Sequence, residues 1–216
     1  LGDVYKRQEV KVLVNLKVPT GCTLIESNLL VNYVYLDTDE RRRFAQVSHE
    51  YLIEQVQHTG VETMDGSGKT GKVDMNFNHP VKALFWTTNG VNFVDNVKVQ
   101  LNGHDRFSEQ AADYFHLVQP YESGLGHRKS LSTADRKWGS VAACSEVNPV
   151  GMYSFCLKPG EHQPSGSCNF SRIDNARLTY KGGKSSAANT SELHLFALNY
   201  NVLRIMSGMG GLAYSN

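Results

Sequence analysis

Charge of one sign is what this sequence most clearly lacks. Its 216 residues carry 22 Lys+Arg against 21 Asp+Glu, a net charge of +1 with histidine neutral. No long Lys/Arg run is available to face a phosphate backbone, which argues against direct nucleic-acid binding. Long apolar runs are lacking too: no stretch reaches the roughly 18 residues of a membrane-crossing helix, so no transmembrane segment is expected. The first residues also lack the charged-then-apolar pattern of a secretory signal. Cysteine is sparse, and Cys22, Cys144, Cys156 and Cys168 stand too far apart for a CxxC zinc or redox motif. Buried free thiols in a reducing compartment are the expected state.

Catalytic signatures are missing as well. Gly66-Ser67-Gly68-Lys69-Thr70 ends like a phosphate-cradling loop, but that motif needs a glycine five residues before Gly68, where Thr63 stands. It also needs a following helix, whereas Val73, Met75 and Phe77 alternate with Asp74, Asn76 and Asn78 and predict a strand, so this glycine-rich stretch reads as a hairpin tip. His49-Glu50 begins a zinc-peptidase HExxH, yet Ile53 occupies the place of the second histidine. The eight histidines (49, 58, 79, 104, 116, 127, 162 and 194) never pair at ligand spacing, and no Gly-x-Ser-x-Gly elbow occurs. No catalytic, cofactor-binding or metal-binding residue is assigned, and no cofactor is expected. Asn169-Phe170-Ser171 and Asn189-Thr190-Ser191 match the glycosylation sequon, with Asn189 in the more polar loop.

What is present is a strand-forming chain. Hydrophobic residues make up 40% and aromatics 10%, enough for a core, and the length corresponds to about 1.4 domains. Val10, Val12, Val14, Leu16 and Val18 alternate with Glu9, Lys11, Asn15 and Lys17, broken only by Leu13, as in a half-buried strand. Leu29 to Leu36 (LLVNYVYL) reads as a neighbouring strand. Asp37 to Phe44 places acids ahead of bases with Thr38 as N-cap, which suits one or two helical turns or a solvated linker.

Tyr51 to Val56 suits strand or helix by periodicity. Val81 to Thr88 reads as a strand, and Val97, Val99 and Leu101 alternate up to Asn102-Gly103, a hairpin signal. One short helix is predicted from Ser108, on Phe107, Ala111, Phe115 and Val118, stopped by Pro120. Leu125 to Pro149 reads as a long surface loop. Met152 to Leu157, Ser171 to Tyr180 and Glu192 to Met206 read as strands. Many short strands with little helix predict an all-β fold, a jelly-roll β-sandwich with one short helix.

Several of these segments resemble the major capsid protein of large eukaryotic (nucleocytoplasmic) DNA viruses, of the phycodnavirus and iridovirus type. They are YLDTDERRRFAQ at Tyr35 to Gln46, HEYLIEQVQ at His49 to Gln57 and NFNHPVKALFW at Asn76 to Trp86. They continue as VQLNGHDRF at Val99 to Phe107, YFHLVQPYES at Tyr114 to Ser123 and HQPSGSCNFSRIDNARL at His162 to Leu178, and end with NYNVLRIMSGMGGLAYSN at Asn199 to Asn216.

The resemblance implies the second half of a double jelly roll. Residues 9–37 would be the last strands of the first jelly roll, 38–49 the inter-domain linker, and 50–216 the second jelly roll, which makes Tyr51 to Val56 its opening strand. A C-terminal fragment is thus expected, and its end fits the family's natural C-terminus. Residues 1–8 are set aside, because Asp3 to Gln8 resembles a sequencing-library transposon end. Residues 125–149, with Trp138 and Cys144, match no motif of the family; top loops of the second jelly roll vary there and face outward.

The family implies a structural role in the virion capsid, assembled in the infected host cell. Its partners would be itself as a homotrimer forming a pseudo-hexagonal capsomer, neighbouring capsomers, and minor capsid proteins. Tyr114, Phe115 and Tyr121 are interface candidates by residue type, with core packing as the alternative for each. The alternative function on the same architecture is a carbohydrate-binding, lectin-like module.

Overall fold

The computed structural model describes residues 12–16, 18, 21, 23–64, 68–89, 94–125, 150–182 and 191–214. Along the chain run α1 (Thr38–Gln46), β1 (His49–Met64), β2 (Thr70–Asp74), β3 (Pro80–Asn89), β4 (Val94–Leu101), β5 (His104–Asp105) and β6 (Gln110–Ala111). A π-helical turn (Tyr114–Val118) leads into α2 (Gln119–Glu122). Then come β7 (Gly151–Ser154), β8 (Cys168–Asn169), a 3-10 turn (Phe170–Arg172), β9 (Ala176–Gly182), β10 (Ser191–Met206) and β11 (Met209–Leu212).

The strands form two sheets. In the first the order is β1-β10-β3-β7, with β11 on β10 and β8 on β3; in the second it is β2-β9-β4-β5, with β6 on β4. Apolar alternation decides which face of each strand turns inward. From the first sheet Leu84 and Trp86 stand opposite Ala197 and Leu195, and from the second Val97 and Val99 stand opposite Tyr180 and Leu178. Phe77, Phe115 and Phe170 join the same core cluster. The architecture is a β-sandwich of the jelly-roll kind.

Two compact units are distinguishable. One comprises residues 1–52 and 202–215, and holds α1, the first residues of β1, the end of β10 and β11; the other, residues 53–201, holds the core. Ion-pair and side-chain contacts within each unit (Glu50 with Arg204, Gln55 with Asn201, His58 with Phe196) have residue numbers summing to nearly the same value, so β1 runs antiparallel to β10.

Several expectations need correction. The described positions of the first two sequence-predicted strands, 12–16, 18 and 29–36, carry no strand, and their apolar side chains are exposed, Leu30 at 94%. A lone strand gains little without a neighbour to bond, and among the described residues no strand pairs with them. The N-cap of α1 is Asp37 instead of Thr38: its Oδ1 accepts from the Glu40 amide at 2.8 Å.

Pro120 does not stop the second helix. It sits at the start of α2, and the missing Pro120 N–H is accommodated because the preceding turn widens, with the Gln119 amide bonding Tyr114 five residues back. Ser108 itself lies outside any element, and the short strand β6 (Gln110–Ala111) precedes the first helical residues at 112. With α1, the described residues hold two helices where one short helix is expected from sequence. In Ser171 to Tyr180 only the second half is strand; the first half is the 3-10 turn and a bend, held by Asn102 Oδ1, which accepts from the Asp174 and Asn175 amides. Asn102 and Gly103 both have positive φ, +51° and +80°, as the Asn-Gly hairpin predicts. The hairpin to β11, turned at Ser207-Gly208 with φ of +53° and +75°, goes unnoticed in the sequence.

Candidate interaction surface

Thr70 after the glycine-rich tip opens β2, a strand with no helix following, so no helix N-terminus is available to hold a phosphate. A Cβ at Gly71 would fall on the Tyr180 ring, its register partner, so this glycine serves cross-strand packing. His49 lies against the Phe44 ring at 4.8 Å, and Glu50 pairs with Arg204 at 2.7 Å, so the incomplete HExxH is spent on structure.

Among the described residues no group of three or more His, Cys, Asp or Glu could hold a metal. His58 is stacked at 5.5 Å on His194 and at 4.5 Å on Phe196. Cys156 is buried and free; Cys168 is half-buried and free, and burial pushes its thiol up, away from the reactive thiolate. Cys22, Cys144, Trp138, Asn189 and residues 126–149 lie outside the described residues. At the other sequon Asn169 Oδ1 accepts from the Ser171 amide, and Ser171 Oγ accepts from the His79 amide.

The three aromatic candidates separate. Phe115 is fully buried, edge-on to Trp86 at 5.1 Å and flanked by Phe107, so it belongs to the core. Tyr114 is half-buried, its hydroxyl accepting from Gln119 Nε2 at 2.9 Å. Tyr121 on α2 is exposed at 76%, with Val118, Leu125, Val150 and Leu157 also exposed. In the other unit, Met206, Met209, Leu212 and Tyr214 expose apolar surface on the hairpin to β11.

Charges, by contrast, are matched locally. Arg177 pairs with Asp74 at 2.7 Å, which raises the guanidinium pKa further. Lys98 and Gln100 hold Asp105, whose carboxyl is lowered first by the Gln100 hydrogen bond and then by that from Lys98. Locally cancelled charge with exposed apolar and aromatic side chains suits non-covalent association with protein.

The family profile described as "Large eukaryotic DNA virus major capsid protein" matches residues 40–93 and 143–211. The chain belongs to this family. It is 49% identical over 91% of its length to the major capsid protein of Pyramimonas orientalis virus, of which it covers 51%. It is 40% identical over 86% of its length to that of Paramecium bursaria Chlorella virus 1, of which it covers 53%. The chain therefore spans about half the length of these curated relatives. Among solved structures, the quasi-atomic PBCV-1 virus capsid matches at a TM-score of 0.68 and 36% identity, covering 85% of this chain and 56% of that one. The Faustovirus major capsid protein, at 13% identity and a TM-score of 0.56, shares the fold. These relatives are major capsid proteins, structural components of the virion capsid.

Sequence reasoning missed one unusual residue. Lys82, inside the otherwise apolar run Val81 to Trp86, is fully buried. An isolated lysine among strand residues was its sole signal.

Proposed function

We propose that this chain is part of a major capsid subunit whose activity is shape-specified self-association, with three copies forming a pseudo-hexagonal capsomer that tiles the virion shell. The observation that carries the reading is the 49% identity to a major capsid protein, extending over nine-tenths of this chain. Residues 50–216 act as the second jelly roll, 38–49 as the inter-domain connection and 9–37 as the last strands of a first jelly roll. The exposed apolar residues of 23–36 fit a segment whose neighbours belong to that other sheet.

Closed threefold association of a double jelly roll gives six similar wedges, which tile without open-ended growth. Neighbouring capsomers and minor capsid proteins are the further partners, and packaging of nucleic acid is left to other proteins. The test is the mass in solution of the product of the intact open reading frame. A trimer without added sugar is expected; a monomer retained on a glycan column would overturn the reading in favour of a lectin.

A further inference from the structure

A fully buried lysine in the otherwise apolar run Val81 to Trp86 requires a physical reason. Leu198 pairs with Ala83 and Asn199 with Val81, so Lys82 is the extra residue of a bulge between β3 and β10. A bulge re-aims a side chain, and the partners of Lys82 lie on β1 and on the segment between β7 and β8. Its ammonium donates to Glu54 on β1 at 2.5 Å and to the Glu161 carbonyl at 2.9 Å, and lies 5.1 Å from the centre of the Tyr200 ring on β10. Burial alone would lower the lysine pKa; the Glu54 hydrogen bond, with the charges of Tyr200 and Glu54, outweighs it, so the net shift is upward and the ammonium stays charged.

Glu161 belongs to a strap between β7 and β8. The Lys158 amide donates to Ser165 Oγ at 2.9 Å, the Leu157 amide to the Ser165 carbonyl at 3.4 Å, and the Glu161 amide to the Lys158 carbonyl at 3.2 Å. Lys158 Nζ also pairs with Glu161 Oε1 at 3.1 Å. These bonds close the strap on itself, and the Lys82 bond ties its far side to the first sheet. His162 adds a looser approach to Glu54 at 3.7 Å. Leu157, at 77% exposure, and Lys158 face solvent.

We propose that Lys82 is the pin that fastens strap 156–166 over β1, β3 and β10, so that the strap is an ordered surface whose order can be lost while the sandwich stays folded. Lys82→Met keeps the stem and removes the charge. In the 216-residue chain, hydrogen exchange of peptides covering 156–166 should accelerate about tenfold while β4 and β9 keep their rates. Unchanged exchange in 156–166, or equal acceleration in β4 and β9, would overturn the proposal. Glu54→Gln, at a half-exposed partner, should give the same local pattern at about threefold. If Lys82→Met fails to fold, the presence or absence of that pattern in Glu54→Gln decides.

Discussion

The Trp86 indole lies against the backbone of Gly151, its register partner across β3 and β7, and a Cβ at that position would fall on the ring. The second sheet repeats the device with Gly71 under Tyr180. The two sites differ in how the ring can yield. At Gly151 the clash is with the rigid, buried indole; at Gly71 it is with the far end of a tyrosine ring, which can swing. Gly151→Ala should therefore destabilise by about 1–3 kcal/mol, the usual cost of overpacking a core, and Gly71→Ala by less. Urea midpoints of the two variants check the order, and a larger loss at Gly71 would contradict it.

Phe115 and Tyr121 sit six residues apart and do different work. Phe115 fills the core between Trp86 and Phe107, so Phe115→Ala should cost about 3–5 kcal/mol. Tyr121 is largely exposed, and Tyr121→Ser should change stability by no more than about 0.5 kcal/mol. If Tyr121 contributes to association, the substitution should weaken assembly of the intact gene product at unchanged stability. Denaturation and sizing, run on the same samples, separate the two effects.

Much of this division was legible in the sequence. Alternation located β4 and the β2 region, because burial on one face imposes a period of two on Val97-Val99 and Val73-Met75-Phe77. Alternation at 9–18 and the apolar run at 29–36 predict strands that their described positions do not form, since such patterns report a preference for burial and say nothing of whether a partner strand is present. The Pro120 error had a different origin. Proline ends a helix when the lost bond cannot be rerouted, and a π turn rerouted it. Among the interface candidates, residue type alone could not tell Phe115 from Tyr121; the helical geometry around Pro120 decides which ring points inward.

His116, in the π turn, supplies a pH dependence. Burial holds its pKa below the ordinary 6.5, against the opposing effects of a hydrogen bond with the Val150 backbone and the charge of Asp113. Between 6.5 and the lower folded value the unfolded chain binds a proton that the folded chain does not. The contribution to stability is thus whole above the unfolded value and falls as pH drops towards the folded one. Stability measured at successive pH values from about 7.5 down to 5.5 should decline less in His116→Gln than in the parent chain. An identical decline in both would assign the effect to other histidines.

The N-terminal segment yields the last prediction, in which two effects compete. Ile25, Leu30, Val34 and Tyr35 are each more than four-fifths exposed, a concentration of apolar surface that favours aggregation. Residues 1–52 also form one compact unit with residues 202–215, where Leu203 and Ile205 are buried while Met206 and Met209 are exposed. Deleting residues 1–48 removes the first surface and places the second at risk. The deletion ends before β1, so Glu50 remains to pair with Arg204, and Ala213 remains bonded to Val202 within the hairpin. Because those bonds survive, the larger effect is the loss of the exposed segment, and the soluble yield of 49–216 should rise above that of the 216-residue chain. Equal or lower yield would mean that the first 48 residues shelter the hairpin to β11, and that the domain boundary proposed near His49 is misplaced.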